Sequence, residues 1–330
     1  MFMVPHTRQV LHLLLAALLA FTLADATAVA KDAYRPPRVA DGRPDLQGYW
    51  DHTDCTPLER PPRIATLVIT KEQAAQIERS VELVLEDRAT PTEPTEFLNQ
   101  RRIQPIHGEL HSSIVVVPEN GRLPGTPLFN QWIAKARAGV LNAMDGPEQR
   151  PASERCLGNP AAQAPNLYNP GTNLHQIVQT RDTVVFVSEF IGEARIIRLN
   201  SNHRAAAIKS WSGDSIGWWE GDTLVVETKY FSPSDPGRFA AGMFYMISPD
   251  ATVIERITRV STNELHYVFT VDDPAYYTQI WKGETHFMRT DDRLLEYACH
   301  EANDSLAIIL KGARVREGAW PPKTFSGGQP

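Results

Sequence analysis

The segment TVIERITRVSTNELHYVFTV, residues 252–271, carries the clearest indication of the fold class. Two runs rich in β-branched and aromatic residues flank the turn residues Thr262-Asn263-Glu264. The first run alternates Val253 and Ile257 with polar positions, and the second run alternates in the same way around His266. This alternation predicts a β-hairpin with one buried face and one solvated face.

Further hairpins of the same kind follow one another from residue 174 onward. Their strands are predicted at 177–178, 184–187, 195–199, 207–211, 223–227, 278–288 and 294–299. About nine strands in sequence order, with no helices between the later ones, exclude a Rossmann fold or a TIM barrel. We predict a mainly β protein, an antiparallel meander that closes into a lipocalin-like or calycin-like barrel. A sandwich of two sheets is the alternative.

The first half of the chain predicts accessory structure around this barrel core, which we assign to residues 174–330. Residues 31–173 read as an extended arm, helices and long loops, with a strand beginning near Gly48-Tyr49-Trp50. The pattern Thr70-x-x-Gln73 is a capping box, and apolar residues follow it at helical spacing, so a helix is predicted over 71–87. A second helix is predicted over 127–143.

The N-terminus predicts export. Arg8 precedes an apolar run from Leu11 to Ala24, and small residues follow up to Ala30, as in a secretory signal peptide. We expect cleavage after Ala26 or Ala30, no integral membrane segment in the mature chain, and a periplasmic or extracellular location. The net charge of −6 makes nucleic acid an unfavourable partner.

The three cysteines, Cys55, Cys156 and Cys299, predict one disulfide with one thiol left over in an oxidising compartment. The residues alone leave three pairings open. No C-x-x-C spacing supports a metal site. His107 and His111 are four residues apart, but Gly108 between them argues against a helix, and we predict no metal there.

Several polar motifs are candidates for chemistry. Tyr297-Ala-Cys-His300-Glu301 combines groups that donate, accept and shuttle protons near neutral pH. A polar run at 166–176 leads into the first hairpin, where side chains at a barrel mouth can orient a ligand. Gly213-Asp-Ser215-Ile-Gly217 matches the G-x-S-x-G of serine hydrolases, but a strand follows it instead of the helix that this motif needs.

Several strings together resemble a large family of secreted bacterial proteins of unknown function. They are DGRPDLQGYW at 41–50, PLERP at 57–61, ERCL at 154–157, QIVQT at 176–180, GDSIG at 213–217 with WEGDTLVV at 219–226, and YACHE at 297–301. The resemblance covers about residues 40–315 and implies no known activity. It implies that the cysteines of ERCL and YACHE belong to one pattern, and hence a Cys156–Cys299 disulfide. Gly48-x-Trp50 is also similar to the G-x-W that opens lipocalin-like proteins.

We therefore expect an exported acid–base enzyme, a lyase, isomerase or hydrolase, that acts on a small organic molecule without an organic cofactor. A periplasmic carrier of lipocalin-like type and a Ser215-dependent hydrolase are the alternatives. The expected catalytic residues are His300, Glu301, Tyr297, His175 and Asp214. The expected substrate-binding residues are Arg155, Tyr168, Asn169, Gln176, Trp211 and Trp219.

Overall fold

The computed structural model describes residues 34–88, 102–137, 144–158, 162–168, 173–234, 236–301 and 303–318. Residues 36–330 belong to one compact unit. The predicted signal peptide and Asn169 lie outside the described residues.

A closed barrel of nine strands forms the centre of this unit, so the prediction of a mainly β barrel is confirmed. The strand order is β1-β5-β6-β7-β8-β9-β12-β13-β14, and β14 pairs back with β1. The strands are β1 (Gly48–Asp51), β5 (Leu174–Gln179), β6 (Thr183–Ser188), β7 (Ala194–Leu199), β8 (Asp214–Glu220), β9 (Thr223–Lys229), β12 (Thr252–Arg259), β13 (Glu264–Asp272) and β14 (Trp281–Arg289).

One pair of barrel strands is parallel, which departs from the predicted antiparallel meander. β7 and β8 run in the same direction, with Ile197 opposite Ser215, while the other eight pairs around the ring are antiparallel. A closed ring of nine strands cannot alternate direction throughout, because an odd number of reversals would not return to the starting direction. Closure with nine strands therefore requires a parallel pair.

The 252–271 hairpin forms as predicted. Val253 lies opposite Val271 and Ile257 opposite Tyr267 in the antiparallel β12–β13 pair, and all four are buried. The inward faces of the barrel strands join one hydrophobic core, whose largest fully buried side chains include Trp50, Trp281, Phe269 and Phe287. The barrel interior is thus largely filled by side chains.

Helix α1 (Lys71–Arg88) confirms the helix that the capping box predicts. The amide of Thr70 donates to Gln73 Oε1 over 3.0 Å, and the amide of Gln73 donates to Thr70 Oγ1 over 3.3 Å. Ala74 and Ile77 of this helix pack with Cys55 and Ile69 in a second, smaller core. The capping box and the apolar stripe are both local patterns, which is why the sequence specifies this helix.

The other elements surround the barrel. Helix α2 (Pro127–Arg137) begins where predicted, and residues 138–143 of the predicted helix lie outside the described residues. Helix α3 (Ser305–Arg316) is not predicted by the sequence analysis. The remaining strands are β2 (Val68–Ile69), β3 (Leu110–His111), β4 (Val115–Val117), β10 (Gly237–Ala240) and β11 (Met243–Met246).

Two predicted strands are wrong. Residues 207–211 form a turn region with one isolated bridge, Ser210 to Phe231, and residues 294–299 have no regular secondary structure. Each segment is predicted as one half of a hairpin, with 223–227 and with 278–288, but in the structure those partners pair with other strands. The ring already closes through β1 and β14, so the second segment has no place in it.

The disulfide Cys156–Cys299 is present, as the family resemblance implies. Cys55 is buried and takes no part in it. This disulfide is compatible with an oxidising compartment outside the cytoplasm. Among the helices of the described residues, none combines the length and apolar character that a membrane span requires.

Candidate functional site

Polar and charged side chains converge inside one end of the barrel. At this end β1, β6, β9 and β13 finish, and β5, β7, β8, β12 and β14 begin. Every member of the group is at most 3% exposed. We call it the interior polar cluster, and its members are His52, Asn166, His175, Arg195, Glu255, Tyr267 and Thr285.

An ion pair across the barrel is the centre of the interior polar cluster. Arg195 Nη2 donates to Glu255 Oε1 over 3.0 Å, and the Tyr267 hydroxyl donates to the same oxygen over 2.7 Å. Two donors thus hold one oxygen of the carboxylate. Burial raises the pKa of Tyr267 well above its usual value, and the charge of Glu255 raises it further, so the hydroxyl keeps its proton.

His52 is held in a defined orientation beside this ion pair. Its Nδ1 lies 3.1 Å from Asn166 Oδ1, which can only accept, so Nδ1 carries the proton. Its Nε2 then accepts from the Thr285 hydroxyl, 3.3 Å away. Burial lowers the pKa of His52 well below its usual value, and the ring is neutral.

His175 is the buried histidine whose ring has no such partners. Both of its ring nitrogens lack a hydrogen-bond partner among the described residues. Burial lowers its pKa to about 3, and the charge of Arg195 contributes in the same direction. The ring is therefore neutral at physiological pH, with one nitrogen able to donate and the other able to accept.

Other buried polar atoms of this region also lack a hydrogen-bond partner within the described residues. Arg195 Nε and Nη1, Glu255 Oε2, Asn166 Nδ2 and Ser188 Oγ are buried and find no partner in the described part of the chain. Ser188 lies opposite His175 in the β5–β6 pair. Because buried polar groups in native proteins are nearly always paired, such a concentration points to a polar molecule or water bound there.

The segment 162–168 covers this end of the barrel. All seven of its residues are buried. The Asn166 amide donates to the Tyr267 hydroxyl over 2.8 Å, and Arg238 of β10 donates to the Ala164 carbonyl over 2.7 Å. The cover is therefore bonded both to the interior polar cluster and to the β10–β11 hairpin.

A cavity of about 410 Å³ lies where β7 and β8 begin. Arg195 and Ser215, which alternate with the outward residues of their strands, are among the residues that line it. Ile196, Asp214 and Trp211 line it as well. Ile196 and Asp214 face outward, and Arg195 is the member of the interior polar cluster that lines this cavity, so the cavity lies on the outer side of the barrel wall at the start of the parallel pair. Its size suits a small organic molecule.

Two of the expected site residues lie at this end of the barrel. His175 belongs to the interior polar cluster, and the buried Tyr168 places its ring 6.2 Å from that of His52. The Tyr168 hydroxyl donates to the Thr56 carbonyl over 2.6 Å. The described residues of the polar run, 166–168 and 173–176, therefore lie near this end of the barrel.

Asp214 lies on the outward face of β8, away from the interior polar cluster. Arg198 donates to it over 2.7 Å, His203 Nδ1 lies 2.8 Å away, and the Arg204 amide donates over 3.0 Å. Burial opposes its charge, but these hydrogen bonds outweigh burial and hold the pKa of Asp214 well below its usual range. These contacts organise the 198–204 turn.

Tyr297, His300 and Glu301 are exposed and lie outside the barrel. The strand predicted at 294–299, which would carry Tyr297, does not form. The Tyr297 ring packs on Phe190 with centroids 4.6 Å apart, beside a cavity of about 430 Å³ that Cys299 also lines. Arg155, on the other side of the disulfide, donates to the Glu148 carbonyl over 3.5 Å.

The remaining expected residues are dispersed. Gln176 is on the outer face of β5 and donates to the Tyr49 hydroxyl over 3.4 Å. Trp219 packs against the barrel core. Ser215 lies on a strand, and its hydroxyl is 2.9 Å from that of Thr228 on β9, a geometry without the strand-to-helix turn that presents a nucleophilic serine.

Sequence reasoning missed Arg195, Glu255, Tyr267 and His52 as site residues. A signal for Glu255 was available in the sequence, because the period of two places it on the same buried face of the strand as Val253 and Ile257. A carboxylate on such a face needs a buried partner. The identity of that partner, three strands away around the ring, follows only from barrel closure.

A separate group of side chains could hold a metal ion. His107, His266 and Glu284 offer ligand atoms that all lie within 4.8 Å of one another on the outside of the barrel. The structure therefore brings one histidine of the His107–His111 pair to ligands that are distant in the sequence.

Comparison of the chain with protein-family models, with curated proteins and with solved structures finds no match.

Proposed function

We propose that this protein is an exported enzyme that carries out acid–base chemistry on a small organic molecule bound at the polar end of the barrel. The observation that carries the proposal is His175, a buried neutral imidazole with two unpartnered nitrogens beside a buried Arg195–Glu255 pair. An unpartnered buried imidazole destabilises a fold, so its presence favours a role in function.

The arrangement supports removal of a proton from a position next to a carbonyl group. Glu255 Oε2 accepts the proton, since Oε1 is occupied by Arg195 and Tyr267. The N–H groups of Arg195 and of neutral His175 donate to the carbonyl oxygen as it becomes negative. A carboxylate base with a neutral imidazole as electrophile is an established pairing for this chemistry. Return of the proton from Glu255 to another atom of the substrate completes an isomerase cycle.

The test is a turnover screen with the mature chain, residues 31–330, and a library of small hydroxylated and carbonyl-containing acids. Once a substrate is found, His175→Leu and Glu255→Gln are expected to lower kcat/KM at least about 100-fold. His300→Ala, which replaces an exposed histidine outside the barrel, is the matched control and keeps kcat/KM within about twofold of wild type. Full activity of His175→Leu would contradict the proposal.

A carrier function is the second candidate, favoured by a different cavity. A space of about 690 Å³, lined mostly by apolar side chains, lies between the 55–64 segment, α1 and the β10–β11 hairpin. Its size is that of a drug-sized ligand site. Recovery of an unmodified apolar ligand from the purified protein, lost in Met243→Lys and retained in His175→Leu, would favour carriage over catalysis.

A further inference from the structure

Histidines gather on the outer surface of β13 and β14, away from the interior polar cluster. His266 and His286 lie directly opposite each other in the strand pair, on the face that alternates with the inward residues. Glu284 lies one pleat from His286 on the same outward face of β14. The segment that carries His107 and His111 covers these positions, since the His107 ring lies 4.4 Å from the His266 ring.

A tight turn presents His107 to this surface. Ile106 and Glu109 exchange two backbone hydrogen bonds of 2.9 and 3.0 Å. The two residues between them, His107 and Gly108, have φ values of 51° and 85°. Positive φ at both central residues is the type I′ arrangement. Ile106 is buried beside the turn and anchors it, while the His107 side chain extends over β13.

The ligand atoms form a compact set. His266 Nε2 lies 2.7 Å from Glu284 Oε1, and a nitrogen of His107 completes a group within 4.8 Å. The hydrogen bond to His266 lowers the pKa of Glu284 against the opposing effect of burial, so the carboxylate is ionised. Two imidazoles and one carboxylate are the donor set of zinc sites that keep an open coordination position.

We propose that His107, His266 and Glu284 bind a divalent transition-metal ion with the ligand preference of zinc, and that water completes its coordination. Ligand atoms about 2.0–2.2 Å from zinc lie about 3.3–3.6 Å apart in a tetrahedral site. The exposed His107 side chain closes the remaining gap by rotation. Binding replaces the hydrogen bond between His266 and Glu284 with a metal–ligand bond from each side chain.

The buried His111 is a further histidine close to the proposed metal ligands. It is 5% exposed, and its Nδ1 has no hydrogen-bond partner among the described residues. Burial lowers the pKa of His111, although the negative charge of Glu284 opposes this effect, so the ring is neutral. His111 is therefore available as a group outside the three ligands that orients Glu284.

The experiment measures metal affinity of the untagged mature chain, residues 31–330, after treatment with a chelator. Zn(II) is titrated in competition with a chromophoric chelator, and Co(II) binding is followed by its visible absorption. We expect one Zn(II) per chain. His107→Ala, His266→Gln and Glu284→Gln are each expected to weaken Zn(II) binding at least about 100-fold, and His111→Asn about 10-fold.

The control is His300→Ala, which like His107→Ala replaces an exposed histidine and keeps wild-type affinity. Urea unfolding in the absence of metal tests whether each variant is folded. Zn(II) affinities are compared only among variants that unfold in a cooperative transition. Equal Zn(II) affinity in wild type and in all three ligand variants would overturn the proposal. So would a Co(II) spectrum of purely aqueous type at saturating protein.

Discussion

Arg195 of β7 and Glu255 of β12 form an ion pair of 3.0 Å, although β8 and β9 separate their strands in the barrel wall. The pair therefore spans the interior instead of following the sheet. Both residues are at most 3% exposed, so each charge depends on the other for its compensation.

Removal of one member of this pair is expected to destabilise the barrel strongly. Arg195→Met and Glu255→Leu should each lower the free energy of unfolding by about 3–5 kcal/mol, because a buried charge is left unpaired. The double variant should recover most of that loss. Urea unfolding of the four proteins measures the coupling. Losses below about 1 kcal/mol in both single variants would show that the pair is solvated.

His175→Leu is expected to stabilise the protein while it abolishes the proposed activity. The ring contributes no hydrogen bond within the described residues, and leucine of similar size removes the cost of burying two polar nitrogens. A gain of about 1–2 kcal/mol at pH 8 is expected from urea unfolding. Ile177→Ala, at the next inward position of β5, serves as the control and should lose about 2–5 kcal/mol.

The difference between wild type and His175→Leu should grow as the pH falls. Unfolded His175 binds a proton below about pH 6.5, whereas the folded residue does so only near its pKa of about 3. The unfolded state thus binds more protons in this window, and the wild type loses stability as the pH decreases. From pH 8 to pH 5 the expected change is about 2 kcal/mol. A constant difference would place His175 in contact with solvent.

Asp214→Asn is expected to destabilise the protein near neutral pH and to have less effect in acid. Arg198, the Arg204 amide and His203 hold the folded pKa of Asp214 below its unfolded value. The carboxylate therefore contributes stability above about pH 4, and this contribution is lost as the pH falls further. Unfolding of both proteins at pH 7 and pH 3 measures this. Asn202→Ala changes a residue of the same turn without removing a charge and should show no such pH dependence.

Reduction of the Cys156–Cys299 disulfide is expected to lower the free energy of unfolding by about 2–5 kcal/mol. The two cysteines are separated by 143 positions, so the bond constrains a long segment of the unfolded chain. Urea midpoints with and without reductant measure the effect. Cys55→Ala should retain the same sensitivity to reductant, and Cys156→Ser with Cys299→Ser should lose it.

The local elements of the fold follow from short-range sequence patterns. Alternation at Val253 and Ile257 predicted the central hairpin, because side chains of a strand point to opposite faces with a period of two. The Thr70–Gln73 capping box predicted α1, because both of its hydrogen bonds join residues three positions apart. The family resemblance correctly implied the Cys156–Cys299 bond.

Contacts between residues that are distant in the sequence depend on the closure of the barrel. The parallel β7–β8 pair follows from the closure of nine strands into a ring. The sequence of a single hairpin does not contain this information. That closure brings Arg195 to Glu255, and it places His266 beneath His107 from the other half of the chain. Periodic patterns act over a few residues, whereas register and closure act over the whole barrel, so the interior polar cluster could not be predicted from spacing.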